Sequence, residues 1–194
     1  MFTLYSADYI NAPSNCSYPH KFEVTDTNSF ADAVRHDYVC AEYMNRYRNG
    51  DNFLGSDCLP VDCDNDHSEN PADWVTPADV RAAFPSITFA VHYSRFNMRE
   101  KNSKPARPKF HVLFPIEYMT DAAAYSEMKK LVNTIFPYFD TKALDAARFF
   151  FGTANPEVEL YSGKMTLSEY LSAEDFDADM SGGSYGSTQV IPEG

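Results

Sequence analysis

A chain of 194 residues with 44% hydrophobic content is long enough for one sizeable core, or for two small lobes sharing a cleft, and too apolar to be disordered. No run of about 18 apolar residues occurs, and Met1 to Asn15 lacks the basic-then-apolar order of a signal peptide. A helical membrane span is therefore excluded, and a cytoplasmic protein with no membrane partner is expected. A formal net charge of −12 argues against tight, unaided binding of a long duplex, because neutralising phosphates requires a basic surface.

The charge is segregated. Residues 1–80 carry 4 basic and 14 acidic side chains, 81–151 carry 11 and 6, and 152–194 carry 1 and 8. A basic middle between acidic flanks suits a local anion site. The four cysteines, Cys16, Cys40, Cys58 and Cys63, are irregularly spaced in a chain too large to need stapling, so reduced thiols are expected. Cys58, Cys63 and His67 lack a second Cys/His pair at finger spacing, and zinc is not favoured.

In chain order, Asn28 or Ser29 caps a helix expected to run to about Tyr47, with Phe30, Val34, Tyr38, Ala41 and Met44 on one face. The polar, glycine-bearing stretch Asn49 to Gly55 reads as a loop leading into a strand over Cys58 to Asp64. Thr76-Pro77-Ala78-Asp79 is an N-cap, a proline at the first helical position and a first-turn acid, opening a helix that ends near Phe84. Two strands follow, Ile87 to Phe96 and Phe110 to Ile116, joined as a hairpin by a long basic loop. Asp121 to Phe136 is the clearest helix, with Tyr125, Met128, Leu131, Val132 and Ile135 as its apolar stripe. A strand is expected around Arg148 to Phe151 and another over Val158 to Tyr161, before a capping box, Thr166 with Glu169, opens a short helix. Residues 1–180 make one folded unit on this reading, and 181–194, small and polar, form a flexible tail or the start of a linker.

Three segments carry chemistry. In Leu59-Pro60-Val61-Asp62-Cys63-Asp64, two carboxylates two residues apart on a strand point to one side, about 7 Å apart at their Cα atoms. Like charges placed together are compensated naturally by a hard cation, although an acidic strand end explains the pattern when it is read alone. In Lys109-Phe110-His111-Val112-Leu113-Phe114, Phe110, Val112 and Phe114 form an apolar face and Lys109 and His111 the other, preceded by Lys104 and Arg107. A cation and an imidazole on one side make a candidate phosphate site, the alternative being a structural histidine beside a solvated basic loop. Asp140 and Arg148, the latter beginning Phe149-Phe150-Phe151, are the third segment.

The succession of a hydrophobic D-x-D strand, Lys109-Phe110-His111 before an apolar strand, and Asp140 with Arg148 eight residues later resembles the three motifs of archaeo-eukaryotic primases, the phage and plasmid primase-polymerases in particular. The resemblance covers roughly Phe53 to Thr153. It implies an α+β fold in which an α/β lobe packs on an RRM-like lobe with the active site in the cleft between them. It further implies that Asp62, Asp64 and Asp140 are catalytic ligands of two Mg²⁺ or Mn²⁺ ions, that His111 contacts an incoming triphosphate, and that Arg148 is the basic residue after the third motif. Lys109 and Arg107 are additional nucleotide-binding candidates. Lys109 is a departure, since the family usually has a small hydroxyl residue two places before the histidine. Asp66 shares the face of Asp62 and Asp64 and would replace one of them if the register slipped by one pleat.

The implied activity is template-directed nucleotidyl transfer from NTPs or dNTPs, with a DNA template and primer as partners. A non-catalytic nucleic-acid-binding or replication-initiation module is the alternative, and a metal-dependent phosphoesterase a third reading. The acidic balance and the terminal linker suggest that a helicase or accessory domain helps to hold DNA.

Overall fold

The computed structural model describes residues 1–173. The expected boundary at residue 180 and the tail at 181–194 lie outside them. The described chain is mixed α and β with antiparallel sheets. In order come β1 (Phe2–Ser6), β2 (His20–Val24), α1 (Thr27–Ala33), β3 (Tyr38–Val39), β4 (Glu42–Tyr43), β5 (Phe53–Cys63), α2 (Pro77–Ala83), β6 (Phe89–Tyr93), β7 (Arg99–Lys101), β8 (Lys104–Arg107), β9 (Phe110–Met119), α3 (Ala122–Ile135) and β10 (Val158–Tyr161). A further helical segment begins at Leu167, behind the expected capping box: Glu169 accepts from the Thr166 backbone N–H, and Thr166 Oγ1 accepts from the Glu169 N–H.

The largest sheet has the order β10-β6-β9-β5-β4, and a smaller one the order β2-β1-β3. Strand alternation decides what each face of the large sheet meets. Leu59, Val61 and Cys63 of β5, Phe89 and Val91 of β6, and Phe110, Val112, Phe114 and Ile116 of β9 share one core with Val80 of α2 and Tyr125 and Val132 of α3. The intervening residues Cys58, Ala90 and Leu113 meet Phe2, Leu4, Val24, Phe30, Val34 and Tyr38 of the small sheet and α1. Each fully buried Phe or Leu stabilises this two-sided core by about 1.5–3 kcal/mol. The large sheet thus lies between helices on one side and the small sheet with α1 on the other.

The hairpin expected between residues 87 and 116 is present as β6 and β9, paired from Ala90 with Leu113 to Tyr93 with Phe110. Their connecting loop is itself a hairpin, β7 with β8, turning at Asn102 and Ser103, both at positive φ. Pro60 is tolerated inside β5 because, among the described residues, β4 pairs only with Phe53 and Gly55, which leaves the rest of β5 with β9 as its one partner strand.

Three expectations are corrected. The helix expected from residue 28 to about 47 is only the seven residues of α1, capped by Asp26, whose side chain accepts from Ser29 N. The chain leaves the helix at Val34 because Asp37 is needed elsewhere: its carboxylate accepts from the N–H groups of Asn11, Ala12 and Gly152. Tyr38 then joins β3, and Glu42 and Tyr43 join β4. The strand expected over 148–151 is an irregular segment that touches β3 through one bridge, Tyr38 with Phe150. In α3 the buried positions are Tyr125, Lys129 and Val132, while Leu131 is exposed. Lys129 turns inward because its Nζ donates to the Asp145 carbonyl at 2.8 Å and sits over the Tyr125 ring.

Candidate active site

The strand register builds the site. β5 sets Asp62 opposite His111 of β9, and β9 sets His111 opposite His92 of β6. Three polar side chains therefore form one cross-strand row on the face turned toward the small sheet. Asp64 follows the last residue of β5, on the open edge. Asp140 reaches the same edge from α3: Phe136 and Phe139 anchor the chain in the core, and the Asp140 backbone N–H donates to the Asp62 carbonyl at 2.7 Å. Its side chain accepts from Lys142 N and caps the short turn Thr141–Ala143. Carboxylate oxygens of Asp62, Asp64 and Asp140 come within 4.8 Å of one another.

The environment of Asp62 is the most telling feature. Its side chain is 9% exposed, and Oδ1 is buried with no hydrogen-bond partner among the described residues. His111 Nε2 stands 3.6 Å from Oδ1 and Arg148 Nη2 stands 3.7 Å from Oδ2, both too far for hydrogen bonds. Lys109 is buried and aims its Nζ at Asp64 Oδ1 from 3.1 Å. Three carboxylates thus face the side chains of Lys109 and Arg148, and among the described residues one carboxylate oxygen is left without a donor. Burial, and after it the charge of Asp64, pushes the Asp62 carboxyl from an ordinary 3.8 to about 7; Arg148 opposes the shift, Asp140 adds to it and Lys109 opposes it. Burial pulls His111 down to about 4, with Asp64 opposing and Arg148 assisting.

A hard divalent cation fits this set. The converging donors are all carboxylate oxygens, one of them is an orphaned buried atom, and a dication would supply the charge that the cluster lacks. A cavity of about 110 Å³ adjoins Asp62 and is lined by His111, Arg148 and Phe149 to Phe151. Another of about 260 Å³ lies along Asp64 and Asp140, between Asn65 to His67 and Pro137 to Lys142. The carboxylates can therefore face solute from two sides.

Of the residues singled out in the sequence, Asp62, Asp64, Asp140, His111, Arg148 and Lys109 meet in one place. Arg107 does not join them. Its side chain is 0% exposed, with Nη2 2.8 Å from Glu69 Oε2, Nη1 donating to the Asn65 carbonyl and the guanidinium over the Trp74 ring. It ties down the turn after β5, and no face of it is left for a nucleotide. Asp66 is not part of the converging triad: its Oδ1 lies 3.1 Å from Lys104 Nζ, 3.5 Å from Arg107 Nη1 and 3.9 Å from Lys109 Nζ.

Sequence reasoning missed Tyr38, His92 and Thr153. Tyr38 Oη lies 3.0 Å from His92 Nδ1 and 3.2 Å from His111 Nδ1, and His92 Nε2 lies 3.0 Å from Thr153 Oγ1. The one available signal was the alternation that places His92 and His111 on the less apolar faces of neighbouring strands. Tyr38 was hidden by its helical spacing from Phe30 and Val34.

A scan against protein-family descriptions and a search of curated proteins each returned no match. Among solved structures, the chain is similar to the archaeo-eukaryotic primase domain of the cyanophage S-2L primase-polymerase, with a TM-score of 0.48 and 12% identity, over 89% of this chain and 88% of that one. None of the described helices is long and apolar enough to cross a membrane.

Proposed function

We propose that the chain is a metal-dependent nucleotidyltransferase of the primase-polymerase kind, which joins nucleotides from NTPs or dNTPs on a DNA template. The observation that carries this reading is the orphaned, buried Oδ1 of Asp62 beside Asp64 and Asp140, with His111, Lys109 and Arg148 around it. Acids alone would suit any metal-assisted hydrolysis. Acids bordered by an imidazole and two cations suit a substrate that brings both metal and polyphosphate.

Asp62, Asp64 and Asp140 would hold Mg²⁺ or Mn²⁺. When bound, two such ions activate a primer 3′-hydroxyl and neutralise charge on the triphosphate and the leaving pyrophosphate. Arg148, partly exposed beside the smaller cavity, is free to exchange its long contact with Asp62 for a phosphate oxygen. Lys109 limits repulsion between Asp64 and its neighbours in the metal-free protein. His111 offers a neutral imidazole to phosphate oxygens. The two-lobed arrangement of archaeo-eukaryotic primases is part of the proposal, with the five-stranded sheet as the wall that carries Asp62 and, just past the end of β5, Asp64.

The test is extension of a labelled primer on a DNA template with Mn²⁺ or Mg²⁺ and either nucleotide type. Metal-dependent products are expected, falling to background in an Asp62→Ala/Asp64→Ala variant. A folded protein that binds triphosphate yet yields no product, even with a helicase or accessory domain supplied, would favour a non-catalytic nucleic-acid-binding module.

A further inference from the structure

Two arginines held against aromatic rings work as ties within the fold. Arg81 lies over the Phe89 ring at 4.8 Å and donates to the carbonyls of Phe84, Pro85, Ile87 and Ser162. Arg48 lies over the Phe149 ring at 4.8 Å and donates to the Ala147 carbonyl. Arg95 differs from both. Its guanidinium is held 4.0 Å from the centre of the Phe151 ring and 5.1 Å from that of Phe96. Among the described residues, however, none of its N–H groups has an acceptor and no acid pairs with it. Stacking fixes a guanidinium by its faces and leaves the donors at its edge for a planar or tetrahedral oxyanion.

The pattern continues outward. Lys101 Nζ lies 4.7 Å from the centre of the Phe96 ring. Phe151, Arg95, Phe96 and Lys101 thus alternate ring and cation, from the wall of the small cavity beside Asp62 to the strand β7. A second cavity, of about 350 Å³, opens at Arg95 and is bordered by Arg99, Asn97, Asn11, Thr153 and Glu157. It shares no lining residue with the cavity at Asp62. Asn97 Oδ1 accepts from the Lys109 N–H, which leaves its amide N–H groups as donors. The neighbouring acids, Glu100 and Glu157, form no ion pair with Arg95, Arg99 or Lys101 among the described residues.

We propose that this row is a track for single-stranded nucleic acid, which passes over Lys101, Phe96 and Arg95 and reaches the acid cluster at Phe151. That the strand is the template rests on the nucleotidyl-transfer reading; that a strand binds here does not. A reacting triphosphate must keep one phosphate at Asp62, Asp64 and Asp140, so the cations beyond Phe151 serve a different anion. A row of cations suits a polymer of phosphates better than one phosphate group. Rings between the cations suit unpaired bases, whose faces a duplex would hide. Lys101, on a flexible stem, moves from the Phe96 ring to a phosphate and uncovers that ring for a base. Few contacts are made, which agrees with weak binding by a chain of net charge −12.

The experiment is fluorescence anisotropy of a labelled oligothymidylate with the full chain at low salt, then across a salt series. Micromolar binding is expected. Arg95→Gln and Phe96→Leu should each weaken it roughly tenfold, the scale of one stacked base. Lys101→Gln, on the exposed hairpin, should lower the slope of log affinity against log salt by about 0.7, and it serves if the other variants fail to fold. Lys21→Gln, an exposed cation of β2, removes the same charge elsewhere and should change little. Binding of a non-hydrolysable triphosphate with Mg²⁺ should be the same in all four variants. A wild type that binds no strand, or track variants no weaker than Lys21→Gln, overturns the track. So does a loss of triphosphate binding in Arg95→Gln, which would make the row part of the nucleotide site. Strand binding that depends on Arg95 and Phe96, in a protein that extends no primer, would leave the track standing and remove the nucleotidyl-transfer reading.

Discussion

Asp62 shows how one residue sets the pH and metal response of the site. Its carboxyl titrates near 7 in the folded chain against about 3.8 unfolded, so between those values the folded state binds more protons than the unfolded one. Stability of the metal-free protein therefore falls as pH rises through that window, by roughly 4 kcal/mol at most. Above it the penalty is constant until a cation removes it. Thermal melts should show Asp62→Asn more stable than wild type at pH 8 without metal, and the gap should shrink by pH 5. Mg²⁺ or Mn²⁺ should raise the wild-type melting temperature more at pH 8 than at pH 5 and leave the variant unmoved. Equal melting temperatures for the two proteins at pH 8 would show that Asp62 is not held as an unpaired buried charge. The D-x-D spacing was legible in the sequence because alternation is a local property, whereas the depth of Asp62 depends on what packs above it.

At the scale of elements, long segments with strong periodicity were legible and short ones were not. β6, β10, α2 and α3 fall where patterning puts them, β9 runs three residues beyond its expected end, and β5 begins at Phe53, inside the stretch Asn49 to Gly55 expected as a loop, because Phe53 and Gly55 pair with β4. Residues 34–47 mislead because Val34, Tyr38, Ala41 and Met44 keep helical spacing while Asp37 diverts the chain to satisfy three distant N–H groups. The segment 148–153 misleads in the opposite direction. Its aromatic run suggests a strand, but it makes one bridge and then passes so close to residue 36 that a Cβ on Gly152 would sit 2.2 Å from the His36 carbonyl oxygen. Gly152→Ala should accordingly cost about 1–3 kcal/mol in urea denaturation, as overpacking does, and displace Phe150 and Thr153. Gly50→Ala, with nothing within 4 Å of the added carbon, should change stability by less than about 0.5 kcal/mol. Similar costs at the two positions would mean that segment 148–153 is not held against residue 36.

For the whole molecule, the fold lowers the positive charge available to nucleic acid still further. Three of the basic side chains between residues 81 and 151, Arg107, Lys109 and Lys129, are buried and engaged inside the protein. The exposed remainder, such as Arg99, Lys101 and Lys104 of the β7–β8 hairpin, is set against a net charge of −12. The isolated chain should bind a primed template with a dissociation constant of about 10⁻⁶ M or weaker at physiological salt, measured by fluorescence anisotropy. Nanomolar affinity under those conditions would contradict the idea that a helicase or accessory domain holds the DNA. The sequence by itself determined the composition of the site's acidic strand, the two faces of β5 and β9, the cap of α2 and the extent of α3, because backbone periodicity and end-capping act over a few residues. Only the tertiary structure decided that Asp140 meets Asp62, that Arg107 is withdrawn, and that Tyr38 bridges two histidines. Those outcomes depend on which distant backbone groups and apolar faces must be satisfied together, and no local pattern encodes that closure.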